Sequence, residues 1–166
     1  MPVTDVQKDF DALTIKLVAQ FDAPVDRIWE AWSDPRQLER WWGPPSHPAT
    51  FTEHDLTPGG LVAYYMTGPD GQKIHGWWRI EEVEPPHLLR FRDADAEGQA
   101  NEEAPTTTAG SAILTMAITL AEADGRTTMA IESHCASREG MEEVLEMGYE
   151  QGSREALDQL DALLAS

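Results

Sequence analysis

The sequence predicts an α+β fold in which an antiparallel sheet precedes a long C-terminal helix. Two patterns carry this prediction. Between residues 49 and 135, strand-like segments are separated by short turn sequences, namely TPGG at 57–60, GPDG at 68–71, EPP at 84–86 and ADGR at 123–126. Strands joined by such short turns pair with their neighbours as an antiparallel meander. From residue 137 to about residue 165, apolar residues instead recur at helical spacing.

One strand and two short helices are expected before the meander. The segment from Leu13 to Phe21 is rich in β-branched residues, as strands are. Pro24 suits the first turn of a helix, and the apolar residues that follow share one helical face: Val25, Ile28, Trp29 and Trp32. Asp34 then caps a second helix that begins at Pro35. Its apolar face consists of Leu38, Trp41 and Trp42.

The last helix is expected to run without interruption from a cap at Ser137 to about Ala165, which is roughly 40 Å at 1.5 Å per residue. Its inward stripe contains Gly148, Gly152 and Ala156, so the middle of the stripe is small. Each glycine inside a helix costs about 1 kcal/mol relative to alanine. Two explanations fit this pattern: either the sheet approaches the helix closely there, or space is left between them.

Two segments are expected to lie outside regular structure. Residues 1–11 are predicted to be a flexible N-terminus, which leaves residues 12–166 as a single domain. Residues 93–110 are acidic and poor in apolar side chains, and they are predicted to form a mobile loop. Such a loop either gates a cavity or is a simple variable insertion.

Composition narrows the class of protein. The 166 residues carry a formal net charge of −18, which repels nucleic acid and anionic lipid, so neither is an expected partner. No apolar run reaches the length of about 18 residues that a membrane span needs, and the start lacks the basic and apolar regions of a signal peptide. The single cysteine, Cys135, excludes an internal disulfide and a multi-cysteine zinc site. Together these features predict a cytosolic protein.

The sequence contains no recognisable catalytic or metal-binding motif. The five histidines have neither the i, i+4 spacing nor the clustering of metal ligands, so no metal is expected. His134 and Cys135 are neighbours in a predicted strand and therefore point to opposite faces. Glycine-rich phosphate or dinucleotide loops and the nucleophile elbow are absent, so neither a catalytic residue nor a cofactor is assigned. Tyr64, His75 and Tyr149 are the polar groups that a pocket enzyme could use, but no spacing singles one out.

Six motifs occur in the order found in one known family: FDAPVDRIWEAWSDPRQLERWWGPP, DLTPGG, GPDG, EVEPPHLLRF, GRTTMAIESH and MGYEQGSREALDQLDALLA. Over residues 12–165 the chain resembles the START-like SRPBCC superfamily, in the branch named after the activator of the heat-shock protein 90 ATPase. The resemblance implies a helix-grip (START/Bet v-like) fold, in which a curved antiparallel sheet wraps around the C-terminal helix and two short helices follow the first strand. It also implies a hydrophobic cavity between sheet and helix, and the small stripe of the helix falls where that cavity would lie.

The expected cavity lining combines the resemblance with strand alternation. Trp78 shares a face with Gly76 and Ile80 and is therefore placed inward, whereas Trp77 is placed outward. If Trp41 packs under the end of the sheet, Trp42 lies about 100° further round the helix and can face the cavity mouth. The residues expected to line the cavity are Trp42, Tyr64, Met66, Trp78, Phe91, Met116, Ile118, Met129, Leu145, Gly148, Tyr149 and Gly152. Plain core packing is the alternative explanation for each of them.

The resemblance implies that the chain binds a small apolar molecule, lipid-, polyketide- or aromatic-like, without a cofactor. Two alternatives remain open: a cyclase- or dehydratase-like pocket enzyme, and a stress-response protein that activates a chaperone ATPase. The eukaryotic activators carry an additional N-terminal domain, whereas only about a dozen residues precede the first predicted strand here, so a chaperone partner is not expected. The oligomeric state is left open.

Overall fold

The structure of the chain is a computed structural model that describes residues 2–94 and 113–165. This part of the chain forms eight strands and four helices. The strands are β1 (Val3–Asp9), β2 (Thr14–Phe21), β3 (Ala49–His54), β4 (Leu61–Thr67), β5 (Lys73–Glu84), β6 (Leu88–Ala94), β7 (Ile113–Ala123) and β8 (Arg126–Cys135). The helices are α1 (Val25–Ser33), α2 (Pro35–Trp41), α3 (Arg138–Glu146) and α4 (Tyr149–Leu164).

The eight strands form one antiparallel sheet in the order β1-β2-β8-β7-β6-β5-β4-β3. Strands β3 to β8 follow one another as a meander, and β8 then pairs with β2. The pairing register shifts within β3, β5 and β7, and such bulges bend and twist a sheet. The curved sheet, the two short helices after β2 and the C-terminal helices confirm the predicted α+β architecture.

The junction between α1 and α2 is held by two side chains. The carboxylate of Asp34 accepts a hydrogen bond of 2.9 Å from the backbone N–H of Arg36 and caps α2, as the sequence predicts. The carbonyl oxygen of Ala31 has no backbone N–H donor one turn later, because residue 35 is a proline. The indole N–H of Trp41 donates to that carbonyl oxygen at 3.1 Å instead. The second helix therefore completes the hydrogen bonding of the first.

The N-terminus differs from the prediction of a flexible segment over residues 1–11. Val3–Asp9 forms β1, which pairs with β2 along its length at the edge of the sheet. Within β1 only Val3 and Val6 are partly buried, and the other side chains are exposed. The apolar pattern of the segment is too weak to predict a strand. Pairing with β2 stabilises the segment, because the two strands satisfy each other's backbone hydrogen-bonding groups. Without β1, β2 would be the edge strand and would leave these groups unpaired.

The predicted acidic loop begins later than expected. Asp93 and Ala94 belong to β6 and pair with Trp78 and Trp77 of β5. This pairing depends on β5, which lies earlier in the chain and is long enough, at 12 residues, to extend the ladder. The sequence around Asp93 and Ala94 therefore does not reveal it. The rest of the predicted loop, residues 95–110, lies outside the described residues.

The C-terminal segment forms two helices, so the prediction of one uninterrupted helix is wrong. Helix α3 ends at Glu146, and Gly148 adopts a left-handed conformation with φ of +94°. Helix α4 then begins at Tyr149. A left-handed residue interrupts the helical path and is favourable mainly for glycine. Gly148 thus ends one helix and begins the next, instead of lying inside a continuous stripe.

Replacing Gly148 by alanine is expected to lower the free energy of unfolding by about 1–2 kcal/mol, because a Cβ disfavours the left-handed conformation. Gly148→Asn should cost less, since asparagine tolerates that conformation. Urea unfolding of the two variants measures both values. If alanine at this position were neutral or stabilising, α3 and α4 would have to form one continuous helix in solution.

The core consists of two apolar clusters on the inner face of the sheet. The larger cluster lies between the sheet, α1, α2 and α4, and it contains the fully buried Trp32 and Trp41. The smaller cluster lies at α3 and comprises Ile15, Ile113, Cys135, Met141 and Val144. Met116 packs against both clusters, and it also borders the cavity described next.

Candidate functional site

A cavity of about 220 Å³ lies between the inner face of the sheet, the end of α2 and helix α4. Twelve residues of the described part of the chain line it: Leu17, Trp41, Trp42, Pro44, Met66, Met116, Ile131, Tyr149, Gly152, Ser153, Ala156 and Leu157. The lining is mostly apolar, with two hydroxyl groups on α4. Its position, between sheet and C-terminal helix, is the one that the small stripe of the helix indicated.

Helix α4 forms one wall of the cavity through residues at i, i+3, i+4, i+7 and i+8. This spacing places them on a single helical face; they are Tyr149, Gly152, Ser153, Ala156 and Leu157. A Cβ built at Gly152 would have no heavy atom within 4 Å. The space in front of this glycine is therefore open, and no close approach of the sheet requires a residue without a side chain.

The opposite wall comes from four strands of the sheet. Leu17 of β2 pairs directly with Ile131 of β8, and both side chains border the cavity. Met116 of β7 and Met66 of β4 complete this wall. Methionine side chains are unbranched and polarisable, so they adapt to ligands of different shape.

The third wall is the end of α2, where the adjacent tryptophans Trp41 and Trp42 both border the cavity. Trp41 is fully buried, and its indole N–H is used by the α1 carbonyl described above. Trp42 stacks edge-on against Trp32 and Trp78, with ring centroids 5.7 and 4.8 Å apart. The Nε1 atom of Trp42 is buried and has no hydrogen-bond partner. Trp41 therefore stabilises the junction of α1 and α2, and Trp42 packs between the aromatic core and the cavity.

Five of the twelve residues expected at the cavity border it, namely Trp42, Met66, Met116, Tyr149 and Gly152. Tyr64, Trp78 and Phe91 instead form an aromatic group on the inner face, in which the Trp78 and Phe91 rings stack at 4.1 Å. Ile118 and Met129 are buried in the larger cluster. Leu145 and Gly148 lie at the junction of α3 and α4, outside the cavity wall.

Ile131 and Ala156 belong to an inward strand row and to the small helical stripe, whereas five other lining residues were not expected at the cavity: Leu17, Trp41, Pro44, Ser153 and Leu157. Two of them carried a usable signal. Ser153 follows Tyr149 by four residues and so shares its helical face. Leu17 is an inward residue of β2, but only its pairing with Ile131 of β8 places it at the cavity. Neither Pro44 nor Leu157 had a local pattern that distinguished cavity from core.

The polar side of the cavity is built on Tyr149. Its hydroxyl lies 2.7 Å from the hydroxyl of Ser133, a fully buried residue of β8. Burial raises the pKa of Tyr149 above 10.0, and hydrogen bonds with the Ser133 and Ser153 side chains partly oppose that rise. Tyr149 is therefore a neutral phenol near neutral pH. Of the three polar groups considered from the sequence, Tyr64 and His75 do not border the cavity, and His75 stacks on Trp77 at 5.8 Å.

The raised pKa of Tyr149 predicts a loss of stability in alkaline solution. Above pH 10.0 the unfolded chain loses the phenol proton while the folded chain keeps it, so the stabilising contribution is complete below that pH and falls as the pH rises. Tyr149→Phe should therefore lose less free energy of unfolding than the wild type between about pH 9 and about pH 11. Urea unfolding at both pH values measures the difference, and equal losses in the two proteins would contradict the assignment.

Within residues 2–94 and 113–165, no group of three or more His, Cys, Asp or Glu side chains is arranged to hold a metal ion. Within the same residues, no helix combines the length and the apolar character needed to cross a membrane.

Residues 22–165 match the model of the family described as activator of Hsp90 ATPase homolog 1-like protein. The chain belongs to this family. The matched region includes all four helices and every lining residue of the cavity except Leu17. It also agrees with the helix-grip fold that the sequence motifs implied.

Solved structures of similar proteins extend the comparison. A protein from Arthrobacter aurescens is 48% identical, with a TM-score of 0.86 and coverage of 98% of this chain and 92% of that one. A protein from Mycobacterium smegmatis is 46% identical, with a TM-score of 0.83 and coverage of 99% and 98%. A protein from Rhodobacter sphaeroides is 23% identical, with a TM-score of 0.80 and coverage of 97% of both chains, and it shows the shared fold alone. Among curated proteins, none matches the chain.

Proposed function

We propose that this family member binds a small apolar molecule in the cavity between sheet and α4 and holds it without transforming it. The observation that carries the proposal is the open space in front of Gly152. Glycine inside a helix costs about 1 kcal/mol relative to alanine. Alanine would fit here, since a Cβ at this position meets no heavy atom within 4 Å. The glycine thus keeps volume open at a cost in stability, as a binding site requires and a packed core does not.

The lining supports an apolar ligand of modest size. Ligand sites are lined mainly by hydrophobic and aromatic groups with a few placed polar atoms, and this cavity combines two tryptophans, two methionines and four aliphatic side chains with two hydroxyls. Its volume of about 220 Å³ is below the range of about 300–1,000 Å³ typical of pockets for drug-sized ligands. A compact molecule of one or two rings, or an aliphatic chain of similar volume, fits this space.

A binding role is favoured over a pocket enzyme by the chemistry of the lining. A general base that works near neutral pH needs a pKa close to that pH. Tyr149 is the ionisable residue among those that line the cavity in the described part of the chain, and burial raises its pKa further above neutrality. The proposal places this binding role in the cytosol, the compartment expected from the amino-acid sequence.

Native mass spectrometry tests the proposal on protein purified gently from its own host, with a denatured sample as the control. The expected result is a reproducible small-molecule adduct that denaturation releases. The same preparation of a Gly152→Leu variant, whose side chain would occupy the cavity, should lack the adduct. An adduct carried equally by both proteins would show that the molecule binds elsewhere, and an empty wild-type protein would contradict the proposal.

A further inference from the structure

The side-chain hydroxyl groups of the cavity lining are concentrated at one end. Tyr149 and Ser153 lie one turn apart at the start of α4, and they contribute the two hydroxyl groups among the lining side chains. Ser133 lies behind them in the sheet and touches the Tyr149 hydroxyl at 2.7 Å. None of the twelve lining residues, all within the described part of the chain, is a lysine, arginine, histidine, aspartate or glutamate.

The other end of the cavity is aromatic. Trp41, Trp42 and Pro44 form it at the end of α2. The side-chain amide of Gln159 donates to the carbonyl oxygens of Trp41 and Gly43, which ties this end to α4. Residue 159 follows residue 149 by ten positions, or roughly 15 Å along a helix. The cavity is therefore polarised along α4, with hydroxyls at the N-terminal end of the helix and indole rings towards its middle.

The Tyr149 hydroxyl has unused hydrogen-bonding capacity. A phenol has one O–H donor and accepts through its oxygen lone pairs. The contact with Ser133 uses one of these positions, whichever of the two hydroxyls donates. Ser153, whose side chain lowers the pKa of Tyr149 by hydrogen bonding, takes at most one more. At least one position is left for a molecule in the cavity.

We propose that the cavity selects a neutral ligand whose apolar body lies against the tryptophans and whose single hydroxyl or carbonyl group bonds to Tyr149. This inference rests on the proposed function and names the ligand class of the same cavity. An anionic ligand is disfavoured, because burying a charge without a partner costs far more than burying a neutral polar group. A purely hydrocarbon ligand would leave the hydrogen-bonding capacity of Tyr149 unused. Tyr149 is therefore assigned as the specificity-determining residue of the cavity.

A series of three probes with one ring system tests the proposal: naphthalene, 2-naphthol and 2-naphthoate. Their dissociation constants are measured by isothermal titration calorimetry at neutral pH for the wild type and for Tyr149→Phe. The affinity for 2-naphthol divided by that for naphthalene should fall about 3–10-fold in Tyr149→Phe, as the loss of one neutral hydrogen bond predicts. Naphthalene itself should bind both proteins almost equally. In the wild type, 2-naphthoate should bind at least about tenfold more weakly than 2-naphthol.

Two further variants separate recognition from folding. Tyr65→Phe removes a phenol that does not border the cavity and should leave the affinity ratio unchanged. Ser153→Ala retains Tyr149 and should lower the ratio by less than Tyr149→Phe does. Urea unfolding of each variant identifies any variant that does not fold. If Tyr149→Phe does not fold, Ser153→Ala tests the assignment in its place.

The outcomes separate the inference about Tyr149 from the proposed function. If naphthalene binds but the ratio is the same in wild type and Tyr149→Phe, the assignment of Tyr149 is wrong and the binding role stands. If 2-naphthoate binds as tightly as 2-naphthol, the preference for a neutral ligand is wrong. If neither naphthalene nor 2-naphthol binds the wild type, the inference is overturned, and native mass spectrometry decides the proposed function separately.

Discussion

Gly152→Leu is expected to reduce the affinity for naphthalene at least about tenfold, which corresponds to about 1.4 kcal/mol, while the protein remains folded. The leucine side chain would enter the cavity in front of Gly152, where a Cβ meets no heavy atom within 4 Å. Helix propensity alone should raise the free energy of unfolding by roughly 0.8 kcal/mol. The combination of lower affinity and equal or higher stability distinguishes a cavity kept open for a ligand from an imperfectly packed core.

The matched control for this prediction is Gln151→Leu, which adds the same side chain one position earlier on the exposed side of α4. It should leave the affinity for naphthalene unchanged. Gly152→Ala should raise the free energy of unfolding by about 1 kcal/mol and reduce affinity less than leucine does. Calorimetric titration and urea unfolding provide the two readouts. A strongly destabilised Gly152→Ala would mean that the space seen at this glycine is closed in solution.

Trp41→Phe is expected to lower the free energy of unfolding by about 2–4 kcal/mol, one of the largest effects of a single substitution in this chain. The smaller ring leaves a void next to Trp32, whose ring centroid lies 4.8 Å from that of Trp41. The substitution also removes the indole N–H that donates to the Ala31 carbonyl. That carbonyl is buried at the end of α1, and Pro35 offers it no backbone donor, so its loss of a partner adds to the cost.

The adjacent substitution Trp42→Phe provides the comparison and should lower the free energy of unfolding by less than Trp41→Phe does, because it leaves a void but no unsatisfied carbonyl. The Nε1 atom of Trp42 is buried without a hydrogen-bond partner, so removing it leaves no other polar group unsatisfied. Urea unfolding followed by far-UV circular dichroism measures both variants without relying on tryptophan fluorescence. Equal costs at the two positions would contradict the different roles assigned to the two tryptophans.

The parts of the fold that local sequence predicts correctly are those with strong local signals. Asp34 before Pro35 marks a cap and the start of a helix, and the carboxylate of Asp34 does cap α2. Strand alternation places Trp78 inward, and its side chain is 4% exposed. Turn sequences between short strands imply an antiparallel meander, which β3 to β8 form. Each of these features depends on residues only a few positions apart.

The site was only partly predictable because alternation identifies a face of the sheet but not what covers that face. Tyr64, Trp78 and Phe91 all lie on the inner face, but Trp42 rests against Tyr64 and Trp78 and separates them from the cavity. Leu17 borders the cavity because β2 pairs with β8, a strand more than 100 positions later in the chain. Depth within the core is a property of several elements packed together, and no single segment encodes it.

The amino-acid sequence by itself determined the antiparallel meander, the two short helices after β2 and the helical C-terminus. These features follow from backbone preferences and apolar spacing, which act over a few residues. Only the tertiary structure decided that Val3–Asp9 joins the sheet, that Gly148 divides the last helix, and which residues enclose the cavity. These outcomes depend on contacts between distant segments, where pairing of backbone groups and exclusion of water override weak local preferences.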